Sequence, residues 1–212
     1  LLNPSGELVS MSEDVAGHVF AMSLGLNAVL EKFKEDVQPG DVLAVNDPYT
    51  GGTHMNDIAF YFPFFDGDKI LLFIAVRAHF ADVGGATPGS FSGQDTEIYQ
   101  EGVRLVPVKI VEKGEINRGL WDVMFANMRL ADEREGDCMA MLDTAKVAEN
   151  QLRDLCSKYG ASKINTSVNT LLDRAEATMR QRISALPNGE YYYEHYMDNG
   201  GISPEPVPLK AK

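Results

Sequence analysis

The spacing of apolar positions changes several times along the chain, and each change predicts an element. Short apolar runs flank Asn3-Pro4-Ser5-Gly6 in residues 1–9, turn chemistry that predicts a hairpin. Val19, Met22, Leu26, Val29, Leu30 and Phe33 then recur at helical spacing, predicting a helix within residues 15–33. Gln38-Pro39-Gly40-Asp41 ends that region, and residues 42–45 form a short strand. Residues 58–65 and 70–78 are almost unbroken runs of aromatic and β-branched side chains around Asp66-Gly67-Asp68. They predict an antiparallel hairpin covered on both faces. The span 82–102 is polar, glycine-rich and longer than an ordinary connection, and loops of that length are usually functional. Residues 103–111 return to strand.

From about Arg118 the pattern turns helical. Residues 120–130, 132–159 and 162–186 predict three helices, the long middle one carrying Ala140, Leu142, Val147, Leu152 and Leu155 among charges. Pro187-Asn188-Gly189 closes the last helix, 190–197 is a tyrosine-rich strand, Asp198-Asn199-Gly200-Gly201 is a turn, and 202–209 starts another strand. The expected class is α+β: a mixed or antiparallel sheet with a glycine-rich active-site loop, then a helical segment and a C-terminal strand pair. The corresponding regions are a mixed β/α part, 1–117, carrying the candidate metal site, a helical part, 118–186, and the start of a further β region, 187–212. The chain opens Leu1-Leu2-Asn3-Pro4 without a methionine and stops in strand-like sequence, so a piece of a longer subunit is expected.

Charge narrows the function classes. Nineteen basic against 31 acidic residues give a net charge of −12. That balance lacks the basic footprint of a nucleic-acid or anionic-membrane surface, and it suits metal binding or a more basic protein partner. No apolar run approaches the roughly 20 residues of a membrane-spanning helix. Cys138 and Cys156 fall in one predicted helix, about 27 Å apart along its axis, too far to bridge. Unpaired thiols fit a reducing compartment.

The chemistry gathers around "NDPYTGGTHMND", residues 46–57. His54 and Asp57 stand three residues apart there, and His79 ends the second strand of the predicted hairpin. That hairpin returns His79 beside the start of its first strand, so the three side chains can meet. Two imidazoles and a carboxylate suit zinc, manganese or iron(II) with open positions for water or substrate. The same residues also serve in proteins as hydrogen-bonding and turn-forming groups. Asp47 is placed to orient a ligand imidazole from behind, and Asp82 to do the same or to ligate. Glu97 and Glu101 offer acid–base chemistry, and Arg104 a carboxylate or carbonyl contact. Gly51-Gly52 and Gly84-Gly85 fit either tight turns or close backbone approach to a bound group. Neither pair has the lysine of a phosphate-binding loop. His195 is expected to be structural.

Four stretches in order, "NDPYTGGTHMNDIAF", "RAHFADVGG", "TEIYQEGVRLVPVKI" and "DNGGIS", make nearly the whole chain resemble the hydantoinase B/oxoprolinase family. This family includes the B-type component of ATP-dependent N-methylhydantoinase, 5-oxoprolinase, and components of acetone and acetophenone carboxylases. The resemblance implies a B-type subunit that carries a divalent metal (Zn, Mn or Fe) and works with an A-type subunit of actin-like ATPase fold. ATP would be bound by that partner. The family's metal pattern falls on His54, Asp57 and His79, with a further acidic ligand upstream of the stretch matching Leu1. The implied reaction is hydrolysis of a cyclic amide, a hydantoin or 5-oxoproline, by water attack on a phosphate-activated amide, with Asp82 or Glu97 moving protons. Two departures stand out: a common His-x-x-x-His keeps only His18, a residue then expected to support the site, and the second residue of "AHHxDIGG" is Phe80. The alternatives are the alpha-type subunit of an ATP-dependent ketone carboxylase and a non-catalytic assembly module. A cytoplasmic homo- and hetero-oligomer, inactive as this segment alone, completes the expectation.

Overall fold

A five-stranded sheet organises the chain, in a computed structural model that describes residues 1–12, 15–34, 36–200 and 203–212. Its strands are β1 (Val42–Val45), β2 (Asp57–Asp66), β3 (Lys69–His79), β4 (Val108–Glu112) and β5 (Glu115–Ile116), in the order β3-β2-β1-β4-β5. Every pairing in it is antiparallel. The β2–β3 hairpin is the longest ladder, running from Asp57 opposite His79 to Asp66 opposite Lys69. The expected N-terminal hairpin takes the form of one bridge between Leu2 and Leu8, and Leu2 also pairs with Phe73 on β3.

Side chains alternate across a strand, and here both faces are buried. On one face Ile58, Phe60, Ala44 and Ile110 pack under Trp121, Met124, Phe125, Cys138 and Met141. These last come from α2 (Arg118–Ala126) and α3 (Ala131–Tyr159). On the other face Leu43, Val45, Ala59, Tyr61 and Phe73 pack under Met22, Leu26 and Val29 of α1 (Ala16–Phe33). Burying a Phe or Leu side chain is worth about 2–3 kcal/mol, so double coverage explains the unbroken apolar runs of β2 and β3. Asn117 starts α2 by accepting the Leu120 amide at 3.2 Å.

The expected elements recur with shifted ends. Residues 103–107 lie outside β4, although the Leu105 carbonyl accepts the Asn46 amide at 3.1 Å. Leu130, expected at the end of a helix, has φ 54° and marks the break before α3. Gly160, at φ 81°, separates α3 from α4 (Ala161–Ser184). The terminal pair is β6 (Tyr193–Met197) with β7 (Val207–Ala211), and the Gly201 and Ile202 positions of the expected turn and strand start lie outside the described residues. Cys138 and Cys156 both sit on α3 as free thiols. Among the described residues, no helix is long and apolar enough to cross a membrane.

Candidate metal centre

The register of the hairpin builds the site. Asp57 is the first residue of β2 and stands opposite His79, the last residue of β3. His54 precedes β2 in a turn where the Asp57 amide donates to the His54 carbonyl at 3.0 Å. Nδ1 of His79 lies 2.8 Å from Asp57 Oδ1, and Nδ1 of His54 lies 3.0 Å from Asp57 Oδ2. One donor atom from each of the three side chains falls within 4.8 Å of the others. Two ligands about 2.1 Å from a common ion stand at most about 4.2 Å apart, so the donors need little movement to share one.

The site has a buried floor and an open rim. Asp57 has no exposed surface, whereas the His54 and His79 side chains are about half exposed, at 48% and 51%. Their rings meet edge to face with centroids 5.5 Å apart, and Phe91 lies edge-on to His54 at 5.8 Å. From α1, Nε2 of His18 reaches Asp57 Oδ2 at 3.2 Å, which brings a third imidazole to the same carboxylate. The hydroxyl of Thr53 donates to that oxygen too. Burial alone would raise the Asp57 pKa. The Thr53 and His79 hydrogen bonds and the charges of His54 and His18 outweigh it and hold the carboxyl below the usual carboxylate range.

Other expected site residues hold the surrounding loops. Asp47 is fully buried, but its carboxylate accepts the Tyr49 amide at 3.1 Å and Arg104 Nη2 at 2.9 Å rather than a histidine. Asp82 accepts the amides of Gly84 at 2.7 Å and Gly89 at 2.8 Å and pairs with Arg129 at 3.2 Å. Glu97 is exposed and caps the short 3-10 turn Ile98–Gln100 through the Gln100 amide. The glycine pairs approach the protein's own backbone: a Cβ on Gly52 would overlap the Asn46 carbonyl, and one on Gly85 the Gln100 carbonyl.

Residue-type reasoning passed over three side chains that shape the site. Asn46 is buried, donates to the Met55 and Val103 carbonyls at 2.6 and 2.8 Å, and accepts the Leu105 amide at 2.7 Å. Asn56 likewise ties the Phe80 and Gly89 carbonyls at 2.8 and 3.1 Å. Each precedes an aspartate, in Asn46-Asp47 and Asn56-Asp57, a repetition that was the available signal. The third is Arg77, two residues before His79 and so on the same face of β3.

Comparison with known proteins agrees with this architecture. The family model described as hydantoinase B/oxoprolinase matches residues 1–212. The B-type component of a putative D-/L-hydantoinase from Pseudomonas sp. (strain NS671) is 31% identical over 184 residues, covering 86% of this chain and 31% of its own. The crystal structure of the ATP-dependent caprolactamase from Pseudomonas jessenii superposes with a TM-score of 0.79 at 28% identity, covering 85% of this chain and 31% of that one. A nucleotide-free acetone carboxylase structure has a TM-score of 0.82 at 17% identity, covering 92% of this chain and 26% of that one, a likeness of fold. The chain thus spans about a third of the length of the relatives it matches.

Proposed function

The chain belongs to the hydantoinase B/oxoprolinase family, and on that premise we propose that it is the metal-bearing segment of a B-type subunit in an ATP-dependent cyclic-amide hydrolase. The observation that carries this reading is the convergence of His54, Asp57 and His79 where β2 begins and β3 ends. Two imidazole nitrogens and one carboxylate oxygen suit zinc, manganese or iron(II). When bound, such an ion supplies Lewis acidity toward an amide oxygen and acidifies water.

The chain's own residues define what the site does around that chemistry. Asp57 places one buried negative charge on the floor, kept ionised by Thr53 and its histidine neighbours. His54 and His79 form an open rim that admits a substrate from solvent, and His18 closes the side toward α1. The partner, an A-type subunit of actin-like ATPase fold, transfers the γ-phosphoryl group of ATP to the amide oxygen. Water then adds to the activated carbon, the C–N bond breaks as the nitrogen takes a proton, and the acyl phosphate so formed is hydrolysed by a second water to a carboxylate and inorganic phosphate. Two free cysteines fit work in the reducing cytoplasm.

Elemental analysis of purified wild type, His54→Ala and His79→Ala tests the reading. About one divalent ion per wild-type chain is expected. Affinity in each variant should fall by more than the 10–100-fold that loss of a supporting residue costs. Equal metal content in all three would leave a non-catalytic assembly module instead. With the partner added, ATP turnover stimulated by hydantoin or a lactam supports the hydrolase. Stimulation by acetone plus bicarbonate would move the chain to the carboxylase branch.

A further inference from the structure

Arg77 carries a partly buried guanidinium whose five donors the fold satisfies only in part. Its Nε and Nη1 are buried and meet no hydrogen-bond partner among the described residues, while Nη2 reaches the Gly51 carbonyl only at 3.4 Å. Tyr61 faces it, and its hydroxyl, which donates to the Met22 carbonyl at 2.9 Å, keeps a lone pair with which to accept from the guanidinium. Asp57 acts on Arg77 through charge, but both Asp57 oxygens are already engaged by Thr53 and the three histidines. A buried charge without a full set of hydrogen bonds is costly, so a ligand that brings an acceptor to the free donors of Arg77 would be favoured there.

Arg77 also lines a cavity of about 750 Å³ bounded by the N-terminal segment, α1, β3 and α3. Its walls are mostly aliphatic, with Leu2, Met22 and Leu152 among them, and it reaches His18 and His79 of the metal centre. No carboxylate lines it among the described residues. An apolar chamber with a few convergent polar groups is how small-molecule sites are built. A guanidinium fork matches an oxyanion with two parallel hydrogen bonds.

We infer that this cavity is a subsite for a substrate with an apolar body and an anionic oxygen group, and that Arg77 pairs with that oxyanion and sets specificity for charged over neutral cyclic amides. The inference rests on the metal-centre reading for where the reacting amide lies, since the cavity and the triad share His79. The oxyanion has two possible sources, a carboxylate on the substrate ring or the phosphoryl group of the activated amide.

Titration calorimetry of the chain separates them, using 5-oxoproline, 2-pyrrolidone (the same ring without the carboxylate) and inorganic phosphate, each with and without bound metal. Wild type is expected to bind 5-oxoproline or phosphate at least about tenfold more tightly than 2-pyrrolidone, the scale of a charge-assisted hydrogen bond. Arg77→Gln should bring the preference to within about twofold, and Arg77→Lys should fall between. If only phosphate binding depends on Arg77, the phosphoryl group is the oxyanion. If only 5-oxoproline binding does, the ring carboxylate is. A wild type that treats all three ligands alike, or an Arg77→Gln chain that keeps the preference, overturns the inference. The ring comparison on wild type needs no variant, so a variant that misfolds leaves the test standing. A wild type that takes up no metal defeats the metal-centre reading. A metal-loaded wild type without oxyanion preference defeats only this inference.

Discussion

Replacing Asp82 by alanine separates a residue that does chemistry from one that holds a loop. Its two oxygens accept the amides of Gly84 and Gly89 at 2.7 and 2.8 Å, and each such bond to a buried carboxylate is worth about 1.5–3 kcal/mol. The Arg129 pair adds under about 1 kcal/mol because the arginine side chain is 41% exposed. Asp82→Ala should therefore cost roughly 3–6 kcal/mol in urea unfolding at pH 7, followed by Trp121 fluorescence and far-ultraviolet dichroism. Asp82→Asn keeps one acceptor oxygen but turns an NH2 toward a backbone N–H, so about half that loss is expected. The pH dependence has a definite sign. Burial raises the Asp82 pKa, but the Gly89 and Gly84 amides and Arg129 outweigh it and leave it below its ordinary 3.8. A carboxylate depressed in the folded state contributes fully above its unfolded pKa and loses that contribution as pH falls through the folded one. The gap between wild type and Asp82→Ala should thus be widest near neutrality and close below pH 3.8. An Asp82→Ala chain within about 1 kcal/mol of wild type, or a gap that ignores pH, would refute the assignment. A proton shuttle would instead show lost turnover at unchanged stability.

Three further substitutions test the loop, the hairpin turn and the face beneath the site. Gly85→Ala combines φ 85° with overlap against the Gln100 carbonyl and should cost at least about 2 kcal/mol, whereas Gly67→Ala, at φ 59° with open space around it, should cost about 1, both measured as shifts in urea midpoint. Tyr61→Phe removes the buried hydrogen bond to the Met22 carbonyl and should destabilise by about 1–2 kcal/mol, with metal content unchanged on elemental analysis.

The fold was legible wherever a periodic run met a strong punctuation mark. The β2–β3 hairpin followed from two apolar runs around Asp66-Gly67-Asp68, and the structure pairs them from Asp57–His79 to Asp66–Lys69. The stretch 103–107 misled because extended apolar residues look alike whether or not they join a ladder. There, Val103 and Leu105 bond to Val83 and to Asn46 rather than to a neighbouring strand. Short-range spacing brought His54 and Asp57 together, and hairpin logic added His79. His18 is the contrast. It stands 39 residues from Asp57 and reaches it only because α1 crosses that face of the sheet, a tertiary fact that no local period encodes. Arg77 was obscured for the opposite reason: within an apolar strand a single arginine resembles an edge residue whose head reaches solvent.

One parity links the core, the metal centre and the cavity. Even-numbered positions of β2, Ile58, Phe60 and Phe62, face α2 and α3, and Val76 and Ala78 of β3 join them. The odd-numbered Ala59 and Tyr61, with Phe73 and Ala75, face α1. Asp57, Arg77 and His79 belong to the odd set, so the packing that seats Tyr61 under Met22 also turns the carboxylate, the guanidinium and the imidazole toward His18. A one-residue slip between β2 and β3 would bury phenylalanines on the wrong face and scatter the ligands in the same step. The register that the core enforces is therefore the register the site needs. This accounts for a fully buried Asp57 beside half-exposed histidines: the carboxylate occupies a core position at the first rung of the ladder. His54 lies before that rung, with only Phe91 edge-on to its ring among the described aromatic residues besides His79, and His79 ends its strand, so both imidazoles stay about half exposed.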